Sequence, residues 1–156
     1  MKAASLKEIK TELNTLHPDR IKELCVQMAK FRKENKELLS YLLFESQDEE
    51  TYVKEVKVQM DEWFKEVKKN NAYLAKKTIR KILSNVNRQI KYSDSKRTEV
   101  DLRIYFCKKL RKTGLSLSAN SALGNVYLRQ FLKLTKALST LHEDLQFDYS
   151  EEIKLL

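Results

Sequence analysis

Lys68, Lys69, Lys76, Lys77, Arg80, Lys81, Arg88 and Lys91 fall within residues 67–93, a stretch that contains no Asp or Glu. Cations gathered in this way bind anions. They pair with negative charge directly, and they release the counterions that a polyanion such as nucleic acid holds around itself. The rest of the chain does not share the bias. Residues 1–50 hold 9 basic and 10 acidic side chains, residues 51–113 hold 18 and 7, and residues 114–156 hold 4 and 5. The formal charge of +9 therefore belongs to the middle third.

Projected on a helix at about 100° per residue, Lys69, Lys76, Lys77, Arg80, Lys81, Arg88 and Lys91 share an arc of about 140°. Ala72, Ala75, Ile79, Ile82, Leu83, Val86 and Ile90 share a second arc, about 100° wide by the same construction. The segment reads as a helix that is apolar inward and positive outward. Tyr73, Ser84 and Asn87 lie on the positive side. Amide and hydroxyl groups position against phosphate and sugar, and an exposed tyrosine stacks on an unpaired base. The candidate anion-binding residues are Lys76, Lys77, Arg80, Lys81, Arg88 and Lys91.

Three other readings use the same residues. A solvated positive face needs no partner at all, above all if the acids of residues 48–66 or of the C-terminal tail cover it. An acidic protein is steered by the same field as a nucleic acid. A membrane surface fits less well, because interfacial helices carry Trp, Phe and Leu where this one has Ala, Ile and Val. Lys108, Lys109, Arg111 and Lys112 form a second basic cluster near a helix C-terminus, where the macrodipole alone favours cations.

No other constellation supplies chemistry. His17 precedes Pro18 and reads as a helix start. His142, Glu143, Asp144 and Asp148 fit no metal-ligand spacing. There is no HExxH, P-loop or GxGxxG, the chain has only 2 Gly, and no serine has a credible histidine partner. No enzymatic activity, cofactor or metal is expected. Cys25 and Cys107 lie in separate helical patterns without a CxxC, and are expected as two buried, reduced thiols of a cytoplasmic protein. Residues 1–8 lack the apolar core of a signal peptide. No apolar run approaches the roughly 20 residues of a membrane span.

The elements that carry these residues are helical throughout. Ser5-Leu6-Lys7-Glu8 is a capping box, and Pro18 suits the first turn of a second helix. Leu38, Leu39, Leu42, Leu43 and Phe44 mark a third helix, and Val53, Val56, Met60, Trp63 and Val67 a fourth behind Asp48. Asn70-Asn71 precedes the basic helix. Ser93-Asp94-Ser95 separates it from a helix that buries Val100, Ile104, Cys107 and Leu110, with Gly114 as its stop. Tyr127, Phe131, Leu134, Leu138, Leu141 and Leu145 recur at spacings of 4, 3, 4, 3 and 4, the seam of one long helix over residues 121–145. Gly124 within it allows a neighbouring helix to come close.

The expectation is a single all-α domain over residues 1–156, with 146–156 as a frayed or docking tail. Its six or seven helices form an antiparallel bundle, or else a short right-handed helical-hairpin solenoid. Its expected role is a non-enzymatic binding or scaffold module with a basic helix face, a candidate for sequence-nonspecific nucleic-acid binding. The alternative is a protein–protein adaptor or homo-oligomer, using the 127–145 seam or the apolar residues 38–44.

Overall fold

The computed structural model describes residues 2–156. It is all-α, with eight helices among the described residues: α1 (Leu6–Leu13), α2 (Pro18–Phe31), α3 (Lys33–Ser40), α4 (Glu49–Lys65), α5 (Ala72–Ser93), α6 (Lys96–Lys112), α7 (Ala122–Leu138) and α8 (Glu143–Lys154). A π-helical turn, Tyr41–Glu45, follows α3. Most helix starts are written in the local sequence. Ser5 and Glu8 close the capping box of α1, and Asp48, Asn71, Ser95 and Ser121 each accept a backbone N–H three residues on. His17 and His142 open α2 and α8 in one manner, each Nδ1 accepting the amide two residues ahead.

The count of six or seven helices is corrected by the break after Leu138. The hydroxyls of Ser139 and Thr140 turn back onto the carbonyls of Lys136 and Ala137, at 2.8 and 2.7 Å, and compete with continued helix. His142 then adopts extended backbone and caps α8, whose first turn carries Glu143 and Asp144. The heptad period runs unbroken through this turn, so periodicity alone concealed it. Leu138 and Leu141 still face the same core, formed by Val100, Ile104, Leu134, Ala137 and Tyr149.

The chain divides into two compact units, one running to Phe44 and one from Glu45 to Leu156. In the first, α2 packs against α3, and no residue of α1, α2 or α3 is buried. Leu42, Leu43 and Phe44 lie in the π-helical turn and are exposed rather than core, while Tyr41 of the same turn is buried. Cys25 is also exposed, against expectation, while Cys107 is buried and its thiol is pushed up to about 12 by desolvation.

The second unit is a packed bundle rather than a solenoid. Its cross-helix bonds set the directions. Tyr52 on α4 reaches Gln89 on α5, and Glu49 reaches Ser93, so these two helices run opposite ways. Glu49 meets Thr98 and Asp61 meets Tyr105, so α4 and α6 run the same way. Arg103 meets both Asn87 and Gln130, and α8 lies along α6 through Lys108 and Glu152. Hence α4, α6 and α8 point one way, and α5 and α7 the other. Helix α6 is the shared neighbour. Its buried residues Thr98, Val100, Leu102, Arg103, Ile104, Phe106, Cys107 and Leu110 occupy about 240° of its circumference at 100° per residue.

Gly124 behaves differently from expectation. A Cβ there would lie 2.0 Å from the carbonyl oxygen of Ser118, so the glycine admits the 115–120 loop and not a helix. Gly114, at φ +73°, ends α6 as expected.

Candidate anion-binding surface

Helix α5 buries Ala75, Ile79, Ile82, Val86 and Ile90, an arc of about 80° on the same projection. Its opposite side is open. Lys77, Arg80, Lys81 and Lys91 are exposed, and Lys76 and Arg88 are half-buried. Among the described residues, the side chains of Lys76, Lys77, Arg80, Lys81 and Lys91 make no ion pair or hydrogen bond. Arg88 differs, since its Nη2 donates to Asn85 Oδ1 at 2.7 Å. Lys69 precedes the Asn71 cap and is not on this face. Tyr73 is 74% exposed and stands on the basic side.

Two of the acids of α4, Glu49 and Asp61, are held by groups of neighbouring helices. Glu49 accepts from Ser93 and Thr98, and Asp61 accepts from Tyr105 and pairs with Lys109 at 2.6 Å. Burial works to raise the Asp61 carboxyl, but the hydrogen bonds from Lys109 and Tyr105 outweigh it and hold the group below its ordinary value. Three of the four cations of the second basic cluster are engaged in the same manner, Lys109 by Asp61 and the others by α8 and the C-terminal residues. Lys108 pairs with Glu152 at 2.7 Å, and Arg111 donates to the backbone oxygens of Leu155 and Leu156. Lys108 and Arg111 thus belong to the packing of the C-terminal segment against α6.

Helix α7 extends the open basic surface with Arg129, Lys133 and Lys136, none of which makes an ion pair among the described residues. Their spacing of 4 and 3 places them on one helix face. The sequence reading missed them because residues 114–156 balance as a whole. The signal was present: all five acids of that third lie in residues 143–152, and residues 114–141 contain none.

Between α5 and α7 runs a groove of about 490 Å³ lined by Arg80, Leu83, Asn87, Val126, Arg129, Gln130, Leu132 and Lys133. No acidic side chain lines it. Lys133 also borders a second groove of about 330 Å³, shared with Lys96, Glu99, Arg103 and Lys136.

Beneath both grooves lies Arg103, 5% exposed. Its Nε and Nη2 donate to Glu99 Oε1 at 2.9 and 2.8 Å, and its Nη1 donates to Asn87 Oδ1 at 3.2 Å and Gln130 Oε1 at 2.5 Å. Burial works to raise the Glu99 carboxyl, yet hydrogen bonds from Lys96 and Arg103 bring it below its ordinary value. A guanidinium only donates, so it fixes both amides with oxygen inward. Neither amide nitrogen bonds to anything else among the described residues.

Among the described residues no helix is long and apolar enough to cross a membrane, and no three His, Cys, Asp or Glu residues gather as a metal site. Fold and surface together define a helical bundle with one open basic side. No protein-family model, curated protein or solved structure matches the chain.

Proposed function

We propose that this chain is a non-enzymatic helical binding module that holds nucleic acid, without reading its sequence, through the exposed cations of α5. One observation carries the proposal. Lys76, Lys77, Arg80, Lys81 and Lys91 stand on one open side of α5 without an ion pair or hydrogen bond among the described residues, while Glu49 and Asp61 of α4 are held by other groups. A polyanion is the partner whose affinity such a row raises most, because every phosphate neutralised releases counterions. Two free cysteines, one of them exposed, suit a reducing, cytoplasmic setting.

The test is the affinity for mixed-sequence oligonucleotides across a salt series. Wild type should weaken steeply with added salt and show little sequence preference. Lys77→Glu, Lys81→Glu and Lys91→Glu combined should abolish binding with helicity unchanged, and undiminished affinity in that variant removes the proposal. Arg88 is left out because of its bond to Asn85.

The second reading is self-association through the first unit, favoured by Met28, Phe31, Leu43 and Phe44, all of which are exposed. The 127–145 seam does not serve it, since Leu134 and Leu138 pack in the bundle core. Light scattering coupled to gel filtration decides: a monomer at every concentration excludes it.

A further inference from the structure

The α5–α7 groove differs from the α5 face in having a floor. Gln130 is 4% exposed and lines the groove, and its oxygen is held by Arg103. The part of this buried side chain without a partner is its NH2 group, and it is not among the solvent-inaccessible polar atoms that lack a bond. That group therefore reaches the groove. Asn87 is oriented in the same manner by the same guanidinium. Two amide donors lie below and three cations, Arg80, Arg129 and Lys133, lie around, with no acid in the lining. The charged side chains of the lining are all cations, and the oxygens of both amides are taken by Arg103. Such a seat is matched to phosphate oxygens, which only accept.

Leu83, Val126 and Leu132 line the groove as well. A duplex presents phosphate and sugar on its outside and gives apolar walls little to cover, whereas an unpaired strand exposes the faces of its bases. Tyr73, Arg80 and Asn87 are spaced by seven residues, so they lie on one line of α5 with about 10 Å between neighbours. The exposed ring of Tyr73 thus stands just beyond the groove, placed to stack on a base.

We propose that the α5–α7 groove seats the backbone of single-stranded nucleic acid, its phosphates held by Arg80, Arg129, Lys133 and the amides of Asn87 and Gln130, with a base on Tyr73. This rests on the reading of α5 as a nucleic-acid face and narrows it to one kind of strand and one place.

The experiment is fluorescence anisotropy on the full chain, with labelled oligothymidine and a duplex of equal length. Wild type should prefer the single strand. Gln130→Glu keeps the oxygen that Arg103 needs and turns the groove-facing donor into a negative acceptor. It should cut single-strand affinity at least tenfold with an unchanged melting temperature. Tyr73→Ala should weaken the single strand several-fold and leave the duplex alone. If Gln130→Glu melts early, Arg129→Ala with Lys133→Ala carries the test in its place. Groove variants that bind like wild type, while Lys77→Glu with Lys81→Glu loses binding, overturn the groove and leave the α5 reading intact. A duplex bound as tightly as oligothymidine overturns the single-strand assignment. Wild type that binds neither overturns both.

Discussion

Helices α5 and α6 follow one another with only Asp94 and Ser95 between them, and both are strongly basic, with six and seven Lys and Arg residues. They use those charges in opposite ways. Helix α5 touches the bundle along a narrow arc, so its cations fall together on what remains, and among the described residues no acid pairs with Lys76, Lys77, Arg80, Lys81 or Lys91. Helix α6 is enclosed by α4, α5, α7 and α8, so its cations point in many directions and most meet a partner. Lys96 has Glu99, Arg103 has Glu99 with two amides, Lys108 has Glu152 and Lys109 has Asp61. Equal charge therefore does not mean equal function. Whether the wheel positions cluster or scatter separates a helix facing solvent from one facing its neighbours.

The largest break in the comparison should come from Arg103→Met. It leaves Glu99, partly desolvated, with Lys96 as its one remaining ion-pair partner and removes the partner of Gln130, at a cost on the order of 3 kcal/mol. Chemical denaturation should read this as a lower midpoint with an unchanged slope. Gly124→Ala comes next. Its new Cβ forces the Ser118 carbonyl aside, at about 1–3 kcal/mol of overpacking strain, and differential scanning calorimetry should show a lower Tm.

The pH dependence sharpens the contrast further. Because the Glu99 carboxyl is held below its ordinary 4.5, its contribution to stability is complete above that value. The contribution is lost as the pH falls below 4.5 toward the lowered folded-state value. Glu99→Gln should be less stable than wild type at neutral pH, with a shallower decline in acid, measured as denaturation midpoints across a pH series. The smallest effect on folding belongs to α5. Lys81→Ala should leave Tm unchanged, while the salt slope of nucleic-acid binding shrinks by about 0.9 for each phosphate that is no longer neutralised. A Tm that falls as far as for Arg103→Met would show that α5 resembles α6 after all.

The same contrast explains what could be read in advance. The inward arc of α5 was legible for Ala75, Ile79, Ile82, Val86 and Ile90, because one side packs and the other does not, while Ala72 is exposed in the first turn and Leu83 lines the groove. The starts of α1, α4 and α6 were legible from their capping residues, whereas the α5 projection began at Lys69, ahead of the Asn71 cap. The boundary between α7 and α8 was not, because Leu138, Leu141 and Leu145 keep heptad spacing across a turn made by two hydroxyls. The groove was hidden for two reasons. The three cations of α7 are masked in the local charge count by the five acids of α8, and Gln130 becomes informative only when Arg103 is seen to hold its oxygen. Leu42, Leu43 and Phe44 looked like core by composition, yet they are exposed in a π-helical turn that buries Tyr41 alone.

The central place of α6 has a consequence for how the protein opens. Amide hydrogens exchange with solvent only when their helix is locally or globally released. Helix α6 cannot separate from one neighbour without remaining held by three others, so its amides should exchange only through global unfolding. Helices α1 to α3, which bury no residue, should exchange first. Mass spectrometry of deuterium uptake should therefore find the slowest peptides in the most highly charged helix of the bundle, and the fastest among the exposed apolar residues of the first unit.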